Sequence, residues 1–406
     1  MKLRHIIILI ILAATTIFAC NDTVYPDPMK EPVKVVNKKD IRAYEDFLVM
    51  PDGTIIADGL FYDEEKIPHT EIKKFERNGN ITRYDTISDF QDNNHRYYSV
   101  NPCSNSVGEM LMACVVMSDD YEFNYSAIHK FDSKGKEIEK YYFNELILPE
   151  LVTLLDNGEI VYFTRDENEE TGEQNLVLHT IGNSFSYTMQ NNFECDADED
   201  YTNIVSFDDK IVLYNKLDSK YCIFRTDGSL ICENTLDIHL AFIEYIDDYL
   251  YMLSYTEGDD FDEDFDYYDD YYIPHLWHIT KMDTLGNHIF DNTINTFDLH
   301  NELTVHGDSL IIIGEEVTDY STLVGGAQIH IFDNNNGTKI ETISMNYDNC
   351  LATPIYVSPD SKGEYDVYLL RLDRYNDSMY ENTVLFINEG AMCIYHTDDL
   401  RKLQVK

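Results

Sequence analysis

The sequence predicts an all-β protein, a seven-bladed β-propeller of four-stranded antiparallel blades, with six or eight blades as the alternatives. Three observations lead there. Turn glycines recur about every fifty residues, at Gly79, Gly135, Gly182, Gly228, Gly286, Gly337 and Gly390, and each separates two apolar runs. The chain carries 31 tyrosines and 20 phenylalanines, broad side chains that pack well on a pleated surface. No long apolar run with the 3.6-residue helical period occurs outside the N-terminal segment.

The N-terminal segment stands apart from the repeats. Lys2 and Arg4 form a short positive region, His5 to Phe18 is almost wholly apolar, and Ala19-Cys20 follows. This is the pattern of a secretory signal over residues 1–19. Ile17-Phe18-Ala19-Cys20 resembles the lipobox of bacterial lipoproteins. In that family a dedicated peptidase cuts before the cysteine, whose sulfur carries a diacylglycerol. The resemblance implies that Cys20 is the lipidation site and that the chain's first partner is a membrane. Asn21-Asp22 and the prolines Pro26, Pro28 and Pro32 read as an extended tether over residues 20–40, ahead of one propeller domain over 41–406. An acidic residue just after the lipidated cysteine is similar to the surface-export signal of some Gram-negative lineages. The expected location is the outer membrane or cell surface, with a periplasm-facing anchor as the alternative.

Each repeat then shows two hairpins. The outer one is clearest at Ile72-Lys73-Lys74-Phe75 before Asn78-Gly79, at Ile128-His129-Lys130-Phe131 before Lys134-Gly135, at Cys222-Ile223-Phe224-Arg225 before Asp227-Gly228, at Ile279-Thr280-Lys281-Met282 before Leu285-Gly286, and at Ile329-His330-Ile331-Phe332 before Asn336-Gly337. Asn-Gly and Asp-Gly suit such turns because both residue types tolerate positive φ. Ile181-Gly182-Asn183 and Asn388-Glu389-Gly390 are fainter copies. The inner turns are Pro51-Asp52-Gly53, Asn105 to Gly108, Asp156-Asn157-Gly158, Asp208-Asp209, Asp247-Asp248, His306-Gly307-Asp308 and Pro359-Asp360. Behind most of them lies a short apolar run such as Ile160 to Phe163 or Leu310 to Ile313, as expected of a strand covered on both faces. Two segments compete to close the ring: Val33 to Val36 added to the last blade, or Arg401 to Val405 completing it alone.

This plan resembles the quinoprotein-like and WD40-like propellers in general outline. The chain has a single tryptophan, Trp277, so Trp-Asp repeats and tryptophan docking motifs are absent. The resemblance implies a disc with a central channel and loop-built faces, and no activity.

Acidic residues outnumber basic ones by 75 to 30, for a formal charge of −45. A chain this negative repels the phosphates of nucleic acid, so no nucleic acid partner is expected, and it attracts cations or basic partners. Of the eight cysteines, Cys20 is assigned to the anchor; the remaining seven are an odd number, so at least one thiol lacks an intramolecular partner. Cys222 and Cys232 flank the Gly228 turn, and a three-residue loop there would set them directly opposite each other. A cross-strand disulfide is one reading, and two buried thiols packing as small hydrophobes is the favoured one.

The main departure from the repeat is an insertion at Glu257 to Tyr272. It interleaves Asp259, Asp260, Asp262, Glu263, Asp264, Asp266, Asp269 and Asp270 with Phe261, Phe265, Tyr267, Tyr268, Tyr271 and Tyr272. Carboxylates beside aromatic faces suit sugars and basic peptides, which makes this the candidate recognition loop. A solvated acidic run and a cation site are the other readings, and no EF-hand spacing is present. A second acidic run, Glu194 to Asp200, reads as an inter-blade loop. His275 and His278 are three apart on an expected strand and so face opposite sides. No zinc, nucleotide or serine-hydrolase motif occurs, so no catalytic residue, metal or cofactor is assigned. The function expected is a lipid-anchored exported propeller that binds or scaffolds a protein or glycan partner. The alternative is a surface glycoside hydrolase or lyase with its site in the channel.

Overall fold

The computed structural model describes residues 34–38, 44–50, 55–62, 68–75, 81–83, 95–118, 123–167, 174–181, 186–188, 202–216, 218–256, 275–296, 299–319, 324–346, 350–359, 363–373 and 390–403. Its strands are β1 (Lys34–Lys38); β2 (Tyr44–Val49), β3 (Ile55–Tyr62), β4 (Pro68–Phe75) and β5 (Ile81–Arg83); β6 (His95–Ser104), β7 (Met110–Ser118), β8 (Phe123–Phe131) and β9 (Glu137–Phe143); β10 (Val152–Leu154), β11 (Ile160–Glu167), β12 (Gln174–Ile181) and β13 (Ser186–Thr188). There follow β14 (Thr202–Phe207), β15 (Lys210–Asn215), β16 (Lys220–Arg225) and β17 (Leu230–Thr235); β18 (His239–Ile246), β19 (Tyr249–Thr256), β20 (His275–Met282) and β21 (His288–Thr296); β22 (Leu299–His306), β23 (Ser309–Asp319), β24 (Val324–Asp333) and β25 (Lys339–Asn346); and β26 (Cys350–Pro359), β27 (Tyr365–Asp373) and β28 (Gly390–Thr397). The described residues form seven four-stranded sheets. Sheets 1 to 6 are antiparallel meanders in chain order, from β2–β5 to β22–β25. Sheet 7 has the order β1-β28-β27-β26, so its outermost strand comes from the N-terminal end of the chain.

The second strands of sheets 2 to 6 explain why the sheets stack. In β7, Met110, Met112, Cys114 and Val116 pack with Leu48 and Ile56 of sheet 1, while Leu111 and Ala113 pack with Val152, Leu154 and Ile160 of sheet 3. In β15, Ile211 and Leu213 face sheet 3, and Val212 and Tyr214 face sheet 5. In β23, Leu310 and Ile312 face sheet 5, and Ile311 and Ile313 face sheet 7. Alternation along a strand sends neighbouring side chains to opposite faces, so a run of four apolar residues needs a cover on both. Each fully buried aliphatic or aromatic side chain contributes about 1.5–3 kcal/mol. The sheets therefore pack in sequence order, face on face, as the blades of a propeller.

Polar links join the inner strands of successive sheets. Thr153 Oγ1 meets Ser206 Oγ at 2.7 Å, Leu303 N–H donates to Glu244 Oε2 at 3.3 Å, and Thr304 Oγ1 donates to Val357 O at 2.8 Å. Two lysines in third strands reach the turns of the next sheet. Lys130 Nζ donates to Gly158 O at 2.8 Å, and Lys281 Nζ donates to Asn334 O at 3.0 Å while lying 3.9 Å from the Tyr249 ring centroid. Burial lowers the pKa of Lys281, countered by Asp247. The turn aspartates are held the other way: Asp132 accepts from the backbone N–H groups of Lys136 and Lys134, which lower its carboxyl pKa.

Two expectations are settled by register. β1 pairs antiparallel with β28, with Val35 opposite Cys393, so the N-terminal segment is the one that completes sheet 7. Arg401 lies instead in a 3-10 turn over Leu400–Leu403. Gly390 accordingly opens the third strand of sheet 7 and is not at an outer hairpin turn. The Cys222–Cys232 bridge is overturned. A bulge between Ile223 and Phe224 shifts the register, so Cys222 lies opposite Glu233 and Cys232 opposite Ile223. The two thiols then point to opposite faces of sheet 4, Cys222 toward sheet 3 and Cys232 toward sheet 5, and both are free.

Gly337 and Gly307 separate backbone strain from packing. Both have positive φ, +72° and +59°. A Cβ on Gly337 would lie 2.5 Å from the Phe290 ring between sheets 5 and 6, whereas one on Gly307 meets nothing within 4 Å. Gly307→Ala is expected to cost about 1–2 kcal/mol from backbone strain alone. Gly337→Ala is expected to cost about 1–3 kcal/mol more from overpacking. Equilibrium urea unfolding checks the difference.

His330 in β24 is 1% exposed; its Nδ1 lies 2.9 Å from Thr342 Oγ1, and its Nε2 has no hydrogen-bond partner among the described residues. Burial, followed by the charge of Lys339, pulls its pKa from 6.5 down to about 4. Between those values the unfolded chain binds a proton that the folded chain refuses, so this group makes stability rise with pH and lowers it as pH falls through 6.5. The contribution reaches about 3 kcal/mol at the acid end. His330→Gln is expected to flatten the slope of unfolding free energy between pH 6.5 and 4, measured by denaturant titration at several pH values.

Candidate functional site

The meander gives the two faces of the disc different characters. The turns joining first to second and third to fourth strands share one face, where they touch. Ser106 N–H donates to Asp156 Oδ1 at 2.9 Å between sheets 2 and 3, and Asn334 N–H donates to Asp308 O at 2.7 Å within sheet 6. Tyr245 stands near the inner edge of this face, stacked on Phe207 at 4.3 Å. Burial raises its hydroxyl pKa to about 12, helped by a hydrogen bond to Asp248 and by the charges of Asp208 and Asp156. Three inner turns, from sheets 3, 4 and 5, thus bring carboxylates toward one phenol.

The opposite face is where β19 ends at Thr256 and β20 begins at His275, at the far end of sheet 5 from the Asp247-Asp248 turn. Here four rings gather. His239 on β18 is the register partner of Tyr255 on β19, and Tyr255 is the partner of Trp277 on β20. Tyr255 stacks on His239 at 5.2 Å and lies tilted against His275 at 4.9 Å and Trp277 at 5.0 Å. His275 and Trp277 meet edge to face at 6.5 Å. Pairing across strands forces this grouping, since residues opposite one another, and those two apart on one strand, share a face. Exposure grades across the group: His239 is exposed, Tyr255 and His275 are half-buried, and Trp277 is 4% exposed, forming the floor. The Nδ1 of His275 is buried and has no hydrogen-bond partner among the described residues. His278 pairs with Ser254 and so lies on the other face of the sheet, as its spacing from His275 requires.

The expected recognition-loop residues Asp259, Asp260, Asp262, Glu263, Asp264, Asp266, Tyr267, Tyr268, Asp269, Asp270, Tyr271 and Tyr272 lie outside the described residues, as do Cys20 and the run Glu194 to Asp200. The structure describes the two strand ends that flank the insertion, and those carry the ring cluster. His239 and Tyr255 escaped sequence reasoning. Their convergence on His275 and Trp277 depends on the register of three strands and on the bulge between Leu240 and Phe242. The usable signal was an aromatic-rich strand end, Tyr251 to Tyr255, running into the insertion. Among the described residues no group of three or more His, Cys, Asp or Glu is placed to hold a metal ion.

No protein-family model and no curated protein matches this chain. Among solved structures it is similar to BamB from Moraxella catarrhalis, at 11% identity and a TM-score of 0.42, over 89% of this chain and 100% of that one. It is also similar to an acylaminoacyl peptidase of Pyrococcus horikoshii, at 11% identity and a TM-score of 0.42, over 80% of this chain and 50% of that one. A prolyl endopeptidase structure matches at 11% identity and a TM-score of 0.44, over 82% of this chain and 48% of that one. The chain thus spans about half the length of the peptidases it matches.

Trp277 is the chain's single tryptophan, so its fluorescence reports on this cluster alone. The geometry predicts emission well shielded from acrylamide in the native protein. Tyr255→Leu is expected to raise the quenching constant at least twofold, while Leu285→Ser, at an exposed turn on the opposite face, leaves it unchanged.

Proposed function

We propose that this chain is a lipid-anchored, exported propeller that acts as a binding or scaffold module, engaging a protein or glycan partner through the face that bears the His239–Tyr255–His275–Trp277 cluster. The observation that carries the reading is this cluster, standing on both strand ends from which the acidic and aromatic insertion departs. Rigid strands supply the floor, and the insertion supplies Asp259 to Tyr272 as the recognition loop; binding residues on loops positioned by a stiff scaffold are the usual arrangement. Residues 1–19 serve as the signal, Cys20 carries the lipid, and the following segment tethers one propeller domain, which includes β1, to the outer membrane or cell surface. The hydrophobic leader and the lipobox-like Ile17 to Cys20 support the anchor.

Two experiments test this. Cells fed an alkyne fatty acid should label the wild-type chain and not Cys20→Ser, and the variant should leave the membrane fraction; equal labelling removes the anchor. In-cell cross-linking followed by capture of the full chain should recover a partner that is lost when residues 257–272 are replaced by a Gly-Ser linker. Recovery unaffected by the replacement moves the binding surface elsewhere.

A further inference from the structure

A different surface is built by the fourth strands, on the rim, at the end where the turns joining third to fourth strands lie. Among the described residues, β9, β17, β21 and β25 each carry a bulge at the same place, just after that turn. The register skips one residue in each, and in each case it is isoleucine: Ile138, Ile231, Ile289 and Ile340. A bulged residue leaves the ladder, and the alternation that would send it inward is broken. Ile289 is 46% and Ile340 59% exposed, and near them on the same hairpins Leu285 is 51% and Leu230 45% exposed. In sheet 4 it is Ile231 that packs partly inward, and its neighbour Leu230 takes the open place. The outer turns overlap from sheet to sheet. A Cβ on Gly286, next to Leu285, would lie 2.9 Å from Cys232 Sγ of sheet 4, and one on Gly337 would lie 2.5 Å from the Phe290 ring of sheet 5. Asn292 Nδ2 also donates to Gly337 O. The turn of sheet 5 therefore rests on the outer strand of sheet 4, and the turn of sheet 6 on the outer strand of sheet 5. Leu230, Leu285, Ile289 and Ile340 follow this overlap as a stripe across sheets 4 to 6. Single exposed apolar residues need no explanation, whereas a run of them across neighbouring elements marks a contact surface.

Charge and the bulges together select the occupant. The hairpin segments that carry the stripe, 225–233, 282–291 and 333–341, hold six acids and two bases, in a chain of net charge −45. A second copy would bring the same excess of acid, and carboxylates set among the apolar side chains oppose insertion into a bilayer. The bulges interrupt the edges on which an added strand would pair, so a partner lies across the strands and does not extend a sheet. We propose that the stripe Leu230–Leu285–Ile289–Ile340 is a docking surface for a basic amphipathic segment of another protein. The segment sets its apolar side chains on the stripe and its lysines or arginines toward exposed acids of the same hairpins, Asp227 and Asp291. This surface is separate from the face that bears the ring cluster and does not depend on it.

The test uses the full chain with Cys20→Ser, so that no acyl group competes for the stripe, and reads the polarisation of a fluorescein-labelled peptide. The probe is a short peptide of leucine and lysine patterned for one apolar helical face. It should bind saturably, and at least tenfold more tightly than a serine–lysine peptide of equal charge or a leucine–glutamate peptide of equal pattern. Leu285→Ser combined with Ile340→Ser, both at exposed positions, should weaken binding at least tenfold. Leu146→Ser, also exposed but on the connection between sheets 2 and 3, should leave it unchanged. Should the double variant fail to fold, Ile340→Ser alone should weaken binding at least threefold. Absence of saturable binding, equal affinity for the serine–lysine peptide, or unchanged affinity in the folded variant overturns the proposal. A dimer in sedimentation velocity that the variant abolishes also overturns it and gives the stripe to a second copy. Flotation with phosphatidylcholine vesicles that the variant loses overturns it in favour of a lipid surface.

Discussion

Every other feature of this molecule depends on one constraint: the second strands of sheets 2 to 6 are apolar on both faces. Val161 and Phe163 cannot be covered by the same neighbour that covers Ile160 and Tyr162. A single sheet with such a strand has no stable exposed face, and two sheets packed together still leave two faces bare. Stacking in sequence solves this for the middle sheets, and returning the N-terminal strand β1 to sheet 7 ties the last sheet to the segment that leads into the first. Each four-stranded sheet keeps two edge strands, and β1 covers the edge of β28 that sheet 7 would otherwise expose.

The same constraint fixes where variation is tolerated. Inner and middle strands are buried on both sides, so chemistry collects at strand ends, turns and connections. The tight-turn face shows this in its backbone. Asp208, Asp247 and Asp248 adopt positive φ, at 50°, 48° and 68°, where other inner turns use glycine. Aspartate tolerates that region better than most residues, and in these two sheets it adds negative charge close to the axis. The other face is where sheet 5 departs from its neighbours, and there the ring cluster sits. Its position at the ends of three paired strands gives it a stiffness that a loop alone lacks.

Much of this was legible in the sequence. The inner turns at Asn105–Gly108, Asp156–Gly158 and Asp208-Asp209 separate strands as read, because local turn chemistry and the apolar runs after them agree. What failed was whatever depends on one-residue differences in register. The Gly228 hairpin has the right turn, yet the bulge after it sends Cys232 away from Cys222, and no composition signal marks a bulge. Closure was ambiguous for a related reason: Val33 to Val36 and Arg401 to Val405 are both short mixed runs, and only pairing with β28 separates them. The ring cluster was half visible. The spacing of His275 and His278 was informative, but His239 reaches Tyr255 only through strand pairing, and Trp277 gives no hint from sequence that it is a floor.

The central claim is that the chain closes on itself through β1 and β28, and the pair Val35 and Cys393 tests it most directly. In Val35→Cys, mild oxidation should join positions 35 and 393 into a disulfide, detected by peptide mapping and by a mobility shift reversed by reductant. A bond from position 35 to any other cysteine, or a thiol at 35 that stays free while Cys393 is accessible, would contradict the closed ring.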